Sequence, residues 1–382
     1  MLRALFPFIA ILPATAYSLI SLACARRFFN PASPAKPQPT AEAGVTILKP
    51  VKGMDAGSYE NFASFCRQAY TGPQQILFAA ASAEDPVIPV IRRLIEDFPG
   101  HDISLVVNPT IHGPNYKVSN LVNAFPTAKH DILIVCDCDI RVPPGYLRSV
   151  MSHFVDPQVG LVSSLYRTSG AHSIPAALEA TGITVELIPN VLVALQLEGL
   201  SFALGASMAL RREALASIGG FEGLSDYLAD DYHLGNKIHC AGWRLSLDGC
   251  LVESIMKTES LTTVLSRQLR WAHTMRVSRP GGYLAYGTTL PFPAAALAIL
   301  TASSFSAGLS AVALLYAVRL ATSTIFSRRL VGDGLFPRWL WIIPLRDILV
   351  FFCWALSFIG NRVEWRGSCF RLKPDGTFEE LT

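Results

Sequence analysis

Charge is scarce in this chain. Asp, Glu, Lys and Arg make up only 16 % of 382 residues, against 51 % apolar, a balance that excludes a purely soluble protein. The net charge is +3, and no basic stripe interleaved with aromatics is present, which excludes a nucleic-acid partner. Eight cysteines occur without any CxxC spacing, so neither a disulfide framework nor a zinc site is expected. Reduced, buried thiols and a cytosolic middle follow instead. No GxGxxG turn follows any strand pattern, which argues against NAD or FAD.

The apolar surplus sits at the two ends, which predicts membrane attachment around a soluble middle. Residues 5–24 are nearly uncharged and long enough to span a bilayer, and Arg26-Arg27 places that flank on the cytoplasmic side. A secretory signal ending at Ala23-Cys24-Ala25 is the competing reading, but its basic flank would lie on the wrong side. An uncleaved anchor over 1–28 is therefore expected, then a Pro- and Ala-rich linker over 29–44. Residues 290–321 predict a tight hairpin of two helices, and 339–360 a further apolar segment. These belong to a C-terminal membrane region over 286–360, followed by a basic tail over 361–382. One anchor, one hairpin and one more full span would put that tail on the far side, against its basic character.

Between the ends the pattern alternates strand and helix. Strands are expected at 45–48, 76–80, 103–107 and 132–136, with helices at 59–68, 86–98, 117–125 and 146–154. This order predicts a Rossmann-like, mostly parallel sheet covered on both faces. Residues 173–199 read as an apolar helical stretch holding only Glu179, Glu186 and Glu198, either a core helix pair or a helix lying in the interface plane. A further strand is expected at 207–210, and helices at 229–241 and 261–275, all within one domain over 45–285.

The stretch Ile132-Leu133-Ile134-Val135-Cys136-Asp137-Cys138-Asp139 organises that domain. A buried strand cannot hold two unpaired carboxylates, so Asp137 and Asp139 must sit at its carboxyl end, where open α/β sheets bind ligands. Hard oxygen ligands suit Mg²⁺ or Mn²⁺ with phosphate oxygens completing the shell. A solvated turn is the bland alternative, and alternation points Cys138 away from both aspartates as a packing residue. Glu84-Asp85-Pro86 closes the second strand, with Asp85 either an N-cap or a contact to a base or ribose. Lys117 opens a helix after the third strand and is a candidate phosphate partner. Asp230 and Asp231 head another helix, where they complement its dipole or, for Asp231, serve as a general base. Arg267, Arg270 and Trp271 share one helix face and suit a diphosphate together with a sugar or lipid head.

In this order, Asp85, Asp137-x-Asp139, Asp231 and Arg267-x-x-Arg270-Trp271 resemble the D, DxD, D, (Q/R)xxRW series of inverting family 2-like glycosyltransferases. The stretches Ile47-Leu48-Lys49-Pro50-Val51-Lys52-Gly53, Lys117-x-Ser119-Asn120-Leu121 and Asp139-Ile140-Arg141-Val142 look like ceramide glucosyltransferases, and equally like their bacterial hopanoid-associated relatives. The resemblance implies a GT-A fold with N- and C-terminal transmembrane helices, a UDP-sugar donor, and Mg²⁺ or Mn²⁺. It implies an integral, multi-pass membrane protein whose catalytic domain faces the cytoplasm. By resemblance, Lys49, Pro50, Glu84, Asp85 and Lys117 belong to the nucleotide-sugar site, where Asp85 reads the nucleoside. Asp137 and Asp139 hold the metal and diphosphate, and Asp231 takes the acceptor proton. Asp230, Arg267, Arg270 and Trp271 steady the leaving diphosphate and the acceptor. Ser82 and Ala83 stand where the family often carries a further acidic residue. The implied reaction moves glucose or N-acetylglucosamine to the hydroxyl of a ceramide- or hopanoid-type membrane lipid. A processive polysaccharide synthase shares these motifs, and a catalytically silent membrane-anchored binding protein is the reading from another class.

Overall fold

A computed structural model of the chain describes residues 2–30, 43–257, 259–334, 338–365 and 368–381. Most of the linker expected over 29–44, and Arg366 of the tail, lie outside the described residues. An eight-stranded sheet forms the centre, from β1 (Val45–Pro50), β2 (Gln74–Ala80), β3 (Asp102–Val107), β4 (Ile132–Cys136), β5 (Ile140–Arg141), β6 (Val159–Ser169), β7 (Ser207–Arg211) and β8 (Arg244–Ile255). Their spatial order is β3-β2-β1-β4-β7-β6-β8-β5. The first four strands pair in parallel, as expected from their alternation with helices. Strand β7 then runs antiparallel to both β4 and β6. Strand β8 has no counterpart among the expected strands, and its pairing with β6 shifts register near Asp248-Gly249. Asp248 is buried there by accepting hydrogen bonds from Ser149 and His153, and such a polar insert hides a strand from hydrophobic patterning.

Alternation along the strands divides two cores. Leu48, Leu77, Leu133 and Val135 point to one face, while Ile47, Ile76, Ile132 and Ile134 point to the other. Each such aliphatic side chain contributes about 1.5–3 kcal/mol by leaving water. The second face is covered by the helices Ser58–Cys66, Ile88–Asp97 and Tyr146–Ser152. The first face packs against Tyr116–Ala124 and against Ile188, Val191 and Leu192 of a long apolar helical stretch. Leu22 and Ala25 of the N-terminal helix enter that same core.

Among the described residues, three helices are long and apolar enough to cross a membrane, namely Leu5–Phe28, Ile174–Glu198 and Phe305–Val331. The second has 72 % of its apolar window buried inside the protein, which favours a core helix over one lying in the interface plane. The helices Pro291–Thr301 and Phe305–Ile325 form the expected hairpin, and Ser304 caps the second by accepting from the Ala307 N–H. They pack on the N-terminal helix through Ile11, Ala14, Ala294, Ala298, Ala311 and Leu315, where alanines allow close backbone approach.

The remaining C-terminal segments differ from the sequence reading. Ile343–Leu356 has 14 residues and is about 21 Å long, short of a hydrocarbon core of about 30 Å. The tail is not a loose basic extension. Its strands β9 (Arg362–Trp365), β10 (Ser368–Leu372) and β11 (Phe378–Glu380) form an antiparallel sheet, and Arg371 and Lys373 pair with Glu379. Val363, Phe370, Leu372 and Phe378 bury around Leu228 of the catalytic domain, and Thr377 bridges to Tyr227. Tail and catalytic domain thus pack directly against each other.

Candidate active site

Strand β4 ends at Cys136, and Asp137-Cys138-Asp139 forms the turn into β5. That turn is pinned from both sides. The Ile255 N–H at the end of β8 donates to the Asp139 carbonyl at 3.0 Å, and Ser254 Oγ donates to Asp139 Oδ2 at 2.7 Å. Below it lies Lys49 of β1, fully buried, whose Nζ donates to the Asp137 carbonyl at 3.0 Å. The Lys49 ammonium stands 4.2 Å from the Phe65 ring centroid, so its charge is offset by a carbonyl and an aromatic face. Lys49 and the buried Pro50 thus form the floor of the site.

Across the turn, Asn115 caps the helix Tyr116–Ala124 by accepting from the Val118 N–H. The cap fixes Lys117 in the first turn, with Nζ 2.8 Å from Asp137 Oδ1 and 3.3 Å from Asp230 Oδ2. Burial alone would ease proton loss from Lys117, but Asp137 and then Asp230 outweigh it and hold the ammonium charged. Asn115 also donates to the Tyr227 carbonyl at 2.9 Å, joining this helix to the loop before Asp230.

Asp230 and Asp231 begin the helix Asp230–Cys240. The Tyr232 N–H donates to Asp231 Oδ1 at 2.8 Å. A side chain added at Gly205 would lie 2.9 Å from Asp231 Oδ2, so this glycine makes room for the carboxylate. Burial, then the neighbouring Asp230, pushes Asp231 up to about 6, against the lowering effect of Lys117. Asp139 also rises to about 6, through burial and then Asp137. Burial, then Asp231, pushes the Tyr166 hydroxyl up as well.

The structure thus gathers Lys49, Lys117, Asp137, Asp139, Asp230 and Asp231. Asp85 has another task at the rim. Both of its oxygens accept the Gly53 N–H, at 3.0 and 2.9 Å, and Oδ1 also accepts from the Val87 N–H. Gly53 has φ of +72°, a backbone that turns its N–H toward the carboxylate and favours glycine. The helix starts at Ile88 rather than at Pro86, so Asp85 staples the β1 and β2 loops instead of standing at the N-cap. Glu84 is exposed beside it. Cys138 does more than pack, since its thiol donates to Asp55 Oδ2 at 2.7 Å, and Asp55 is ion-paired with Lys257 at 2.6 Å.

Arg267, Arg270 and Trp271 lie on the helix Leu261–Ser278. The Arg267 guanidinium is engaged by Glu179 at 2.8 Å and by Glu259, and Trp271 is half-buried. Sequence reasoning missed Asn115, Gly205, Ser254, Asp55 and Lys257. Asn115 lies two residues before Lys117, whereas the other four share no motif with the aspartates and reach the site only through chain crossings.

A Rossmann-like sheet with an acidic turn at the end of β4, facing a second acidic pair across a buried lysine, is the framework of a GT-A glycosyltransferase. The chain belongs to glycosyl transferase family 21, whose model matches residues 6–378. Ceramide glucosyltransferase 1 of Caenorhabditis elegans is 27 % identical over 237 residues, covering 60 % of this chain and 48 % of that protein. The ceramide glucosyltransferase of Gibberella zeae is 31 % identical over 154 residues, covering 37 % and 28 %. The chain therefore spans about half, or less, of the length of these curated relatives. In fold it is similar to the mannosyltransferase PcManGT from Pyrobaculum calidifontis, solved with GDP-Man and Mn²⁺. That likeness has a TM-score of 0.53 at 17 % identity and covers 94 % of this chain and 99 % of the other.

Proposed function

We propose that the protein transfers glucose from UDP-glucose to the hydroxyl of ceramide at the cytoplasmic face of a membrane, with inversion. One observation carries the lipid acceptor. Leu22 and Ala25 of the N-terminal membrane helix share a hydrophobic core with Leu133 and Val135 of β4, so the strand that ends in Asp137 is built onto the anchor itself. A site so attached works at the bilayer surface, where a lipid hydroxyl is presented and a soluble acceptor has no advantage. The ceramide glucosyltransferases among the relatives support the choice of sugar and lipid.

In the proposed reaction the acceptor oxygen attacks the anomeric carbon as its proton passes to Asp231, and the bond from that carbon to the diphosphate breaks. Asp231 is suited to the task because its raised value brings it closer to neutrality, where a base is most effective. Lys117 stands where charge collects on the leaving diphosphate, and such preorganised charge is commonly the largest catalytic contribution. Trp271 and Arg270 stand on the helix that would receive the acceptor side. Arg267, already neutralised by Glu179 and Glu259, serves better as an anchor of that helix than as a diphosphate ligand.

The donor set suits a divalent cation. Asp137 and Asp139 are hard oxygen ligands one residue apart, and burial, then Asp137, raises Asp139 to about 6. Among the described residues no cluster of three or more Asp, Glu, His or Cys is arranged to hold a metal, so donor phosphates would complete the shell. Bound there, Mg²⁺ or Mn²⁺ would supply positive charge to the diphosphate.

The test uses the full chain in lipid nanodiscs, offering UDP-glucose and UDP-N-acetylglucosamine with ceramide or a hopanoid polyol, and reading products by mass spectrometry. β-Glucosylceramide is the expected product. A hopanoid product would move the acceptor, an N-acetylglucosamine product the donor, a polymer would point to a synthase, and no transfer at all would overturn the proposal.

A further inference from the structure

Four charged side chains lie between the helix Ile174–Glu198 and the C-terminal membrane region, away from the aspartates of the site. Arg346 is 5 % exposed. Its Nε and Nη2 donate to Glu186 Oε2 at 3.1 and 2.9 Å, and its Nη1 donates to Gln268 Oε1 at 2.7 Å. Tyr286 donates to the other Glu186 oxygen at 2.5 Å. Arg319 donates to Asp347 at 3.0 Å and to the Val185 carbonyl at 3.3 Å. Val185 and Glu186 belong to the π-helical turn Ile183–Leu187. Such turns release carbonyls from the helix ladder and often mark functional sites. Here two arginines from the C-terminal region occupy that turn.

The contact is built, not incidental. A side chain at Gly182 would lie 2.5 Å from the Arg346 guanidinium carbon, so the guanidinium lies directly on the helix backbone. Gln268 is buried, and its Nε2 has no partner among the described residues, so the Arg346 bond sets the orientation of this amide. Gln268 stands between Arg267 and Trp271. Seven residues before Glu186 on the same helix, Glu179 holds Arg267, and Glu198 holds Arg279 just beyond the Leu261–Ser278 helix. All three glutamates of an otherwise uncharged helix thus fasten arginines, each on or linked to the arginine–tryptophan helix. Charges buried this deeply are costly to retain for packing alone.

We propose that Arg346 is a positioning residue for the transfer reaction. It ties the short C-terminal helix Ile343–Leu356 to the helix Leu261–Ser278 and thereby sets where Arg270 and Trp271 stand. The inference rests on the transferase reading given above. A shift of this helix by about 1 Å would lower turnover by about a hundredfold, while Lys117, Asp137 and the nucleotide end of the site stay in place.

The test compares wild type, Arg346→Lys and Gly182→Ala as full-length protein in nanodiscs with UDP-glucose and ceramide. Lysine keeps the charge but cannot span Glu186 and Gln268 together. The alanine displaces the guanidinium without changing it. The expected result is a large fall in kcat per folded molecule for both variants, with UDP affinity within about twofold of wild type and a cooperative thermal transition retained. Unchanged kcat in either folded variant would overturn the inference, and so would parallel losses in kcat and UDP affinity. Wild type that binds UDP but transfers no sugar would count against the transferase reading instead.

Discussion

The Lys117 ammonium is held 2.8 Å from Asp137 and 3.3 Å from Asp230, so one cation joins the turn after β4 to the helix that carries Asp231. Lys117→Met leaves two carboxylates facing each other without compensation. The expected destabilisation is about 2–3 kcal/mol, below the cost for a fully buried pair because the Asp137 side chain is 38 % exposed. UDP binding should weaken by about ten- to a hundredfold, the worth of a charged hydrogen bond. Titration calorimetry and thermal unfolding read the two effects separately, and unchanged UDP affinity would remove Lys117 from the donor site.

Asp231 carries a pH signature with opposite signs for activity and stability. Burial and Asp230 raise it from the ordinary 3.8 to about 6. Turnover should therefore fall as pH drops through about 6, as the base is protonated. A raised carboxyl is protonated more readily in the folded chain than in the unfolded one, so its stabilising contribution is full below the ordinary value and is lost as pH rises through about 6. Asp231→Asn should abolish transfer, raise the melting temperature at pH 7 and leave it nearly unchanged at pH 4. A variant that loses activity and also melts lower at pH 7 would contradict this assignment.

Gly205 tests the same carboxylate by geometry alone. A β-carbon there would stand 2.9 Å from Asp231 Oδ2, closer than side chains pack. Gly205→Ala should displace the carboxylate and lower kcat by about tenfold or more, within the range for a misplaced base. UDP affinity should hold, because the proposed donor end lies at Asp137 and Lys117. Equal kcat in the alanine variant would show that Asp231 has freedom to move.

The sheet was legible because β1 to β4 are short apolar runs separated by helices, and four strands of that kind leave few topologies. The aspartates were legible for a related reason, since carboxylates directly after a buried strand have nowhere else to go. Strand β8 was not legible because Asp248-Gly249 interrupts its pattern, although Ser254 at its end holds Asp139. Arg267 was read as steadying the diphosphate from its helix face and from the resemblance of the Arg267-x-x-Arg270-Trp271 series. Its engagement by Glu179, 88 residues earlier, depends on packing that helical spacing does not encode. The tail was read as basic from one short stretch, whereas its sheet is set by Val363, Phe370, Leu372 and Phe378 finding Leu228.

A divalent cation held by Asp137 and Asp139, as proposed, would make transfer metal-dependent. Transfer should be lost in chelator and restored by Mn²⁺ or Mg²⁺, while thermal stability changes little, because Lys49 and Ser254 already hold the turn. Asp139→Asn should mimic the chelator and resist rescue. Full transfer in chelator would exclude a divalent cation from the site.

The tail offers the last prediction, because it closes over the helix that bears Asp231. His233, two residues after Asp231, packs against Tyr227 with ring centroids 4.0 Å apart, and burial, then Lys237, pushes it down to about 4. Gly376 has φ of +85°, and a side chain there would lie 2.4 Å from His233 Nε2. Gly376→Val combines an unfavourable backbone with a steric clash, so the turn must lift away, at a cost of about 1–3 kcal/mol for the backbone alone. Lifting it returns His233 to water and toward its ordinary value near 6.5. The variant should melt lower, and NMR titration of His233 should move upward by a unit or more, about the size expected on relief of burial. If His233 keeps its low value in the variant, the tail does not shield it, and the β9–β11 sheet is only an appendage of the catalytic domain.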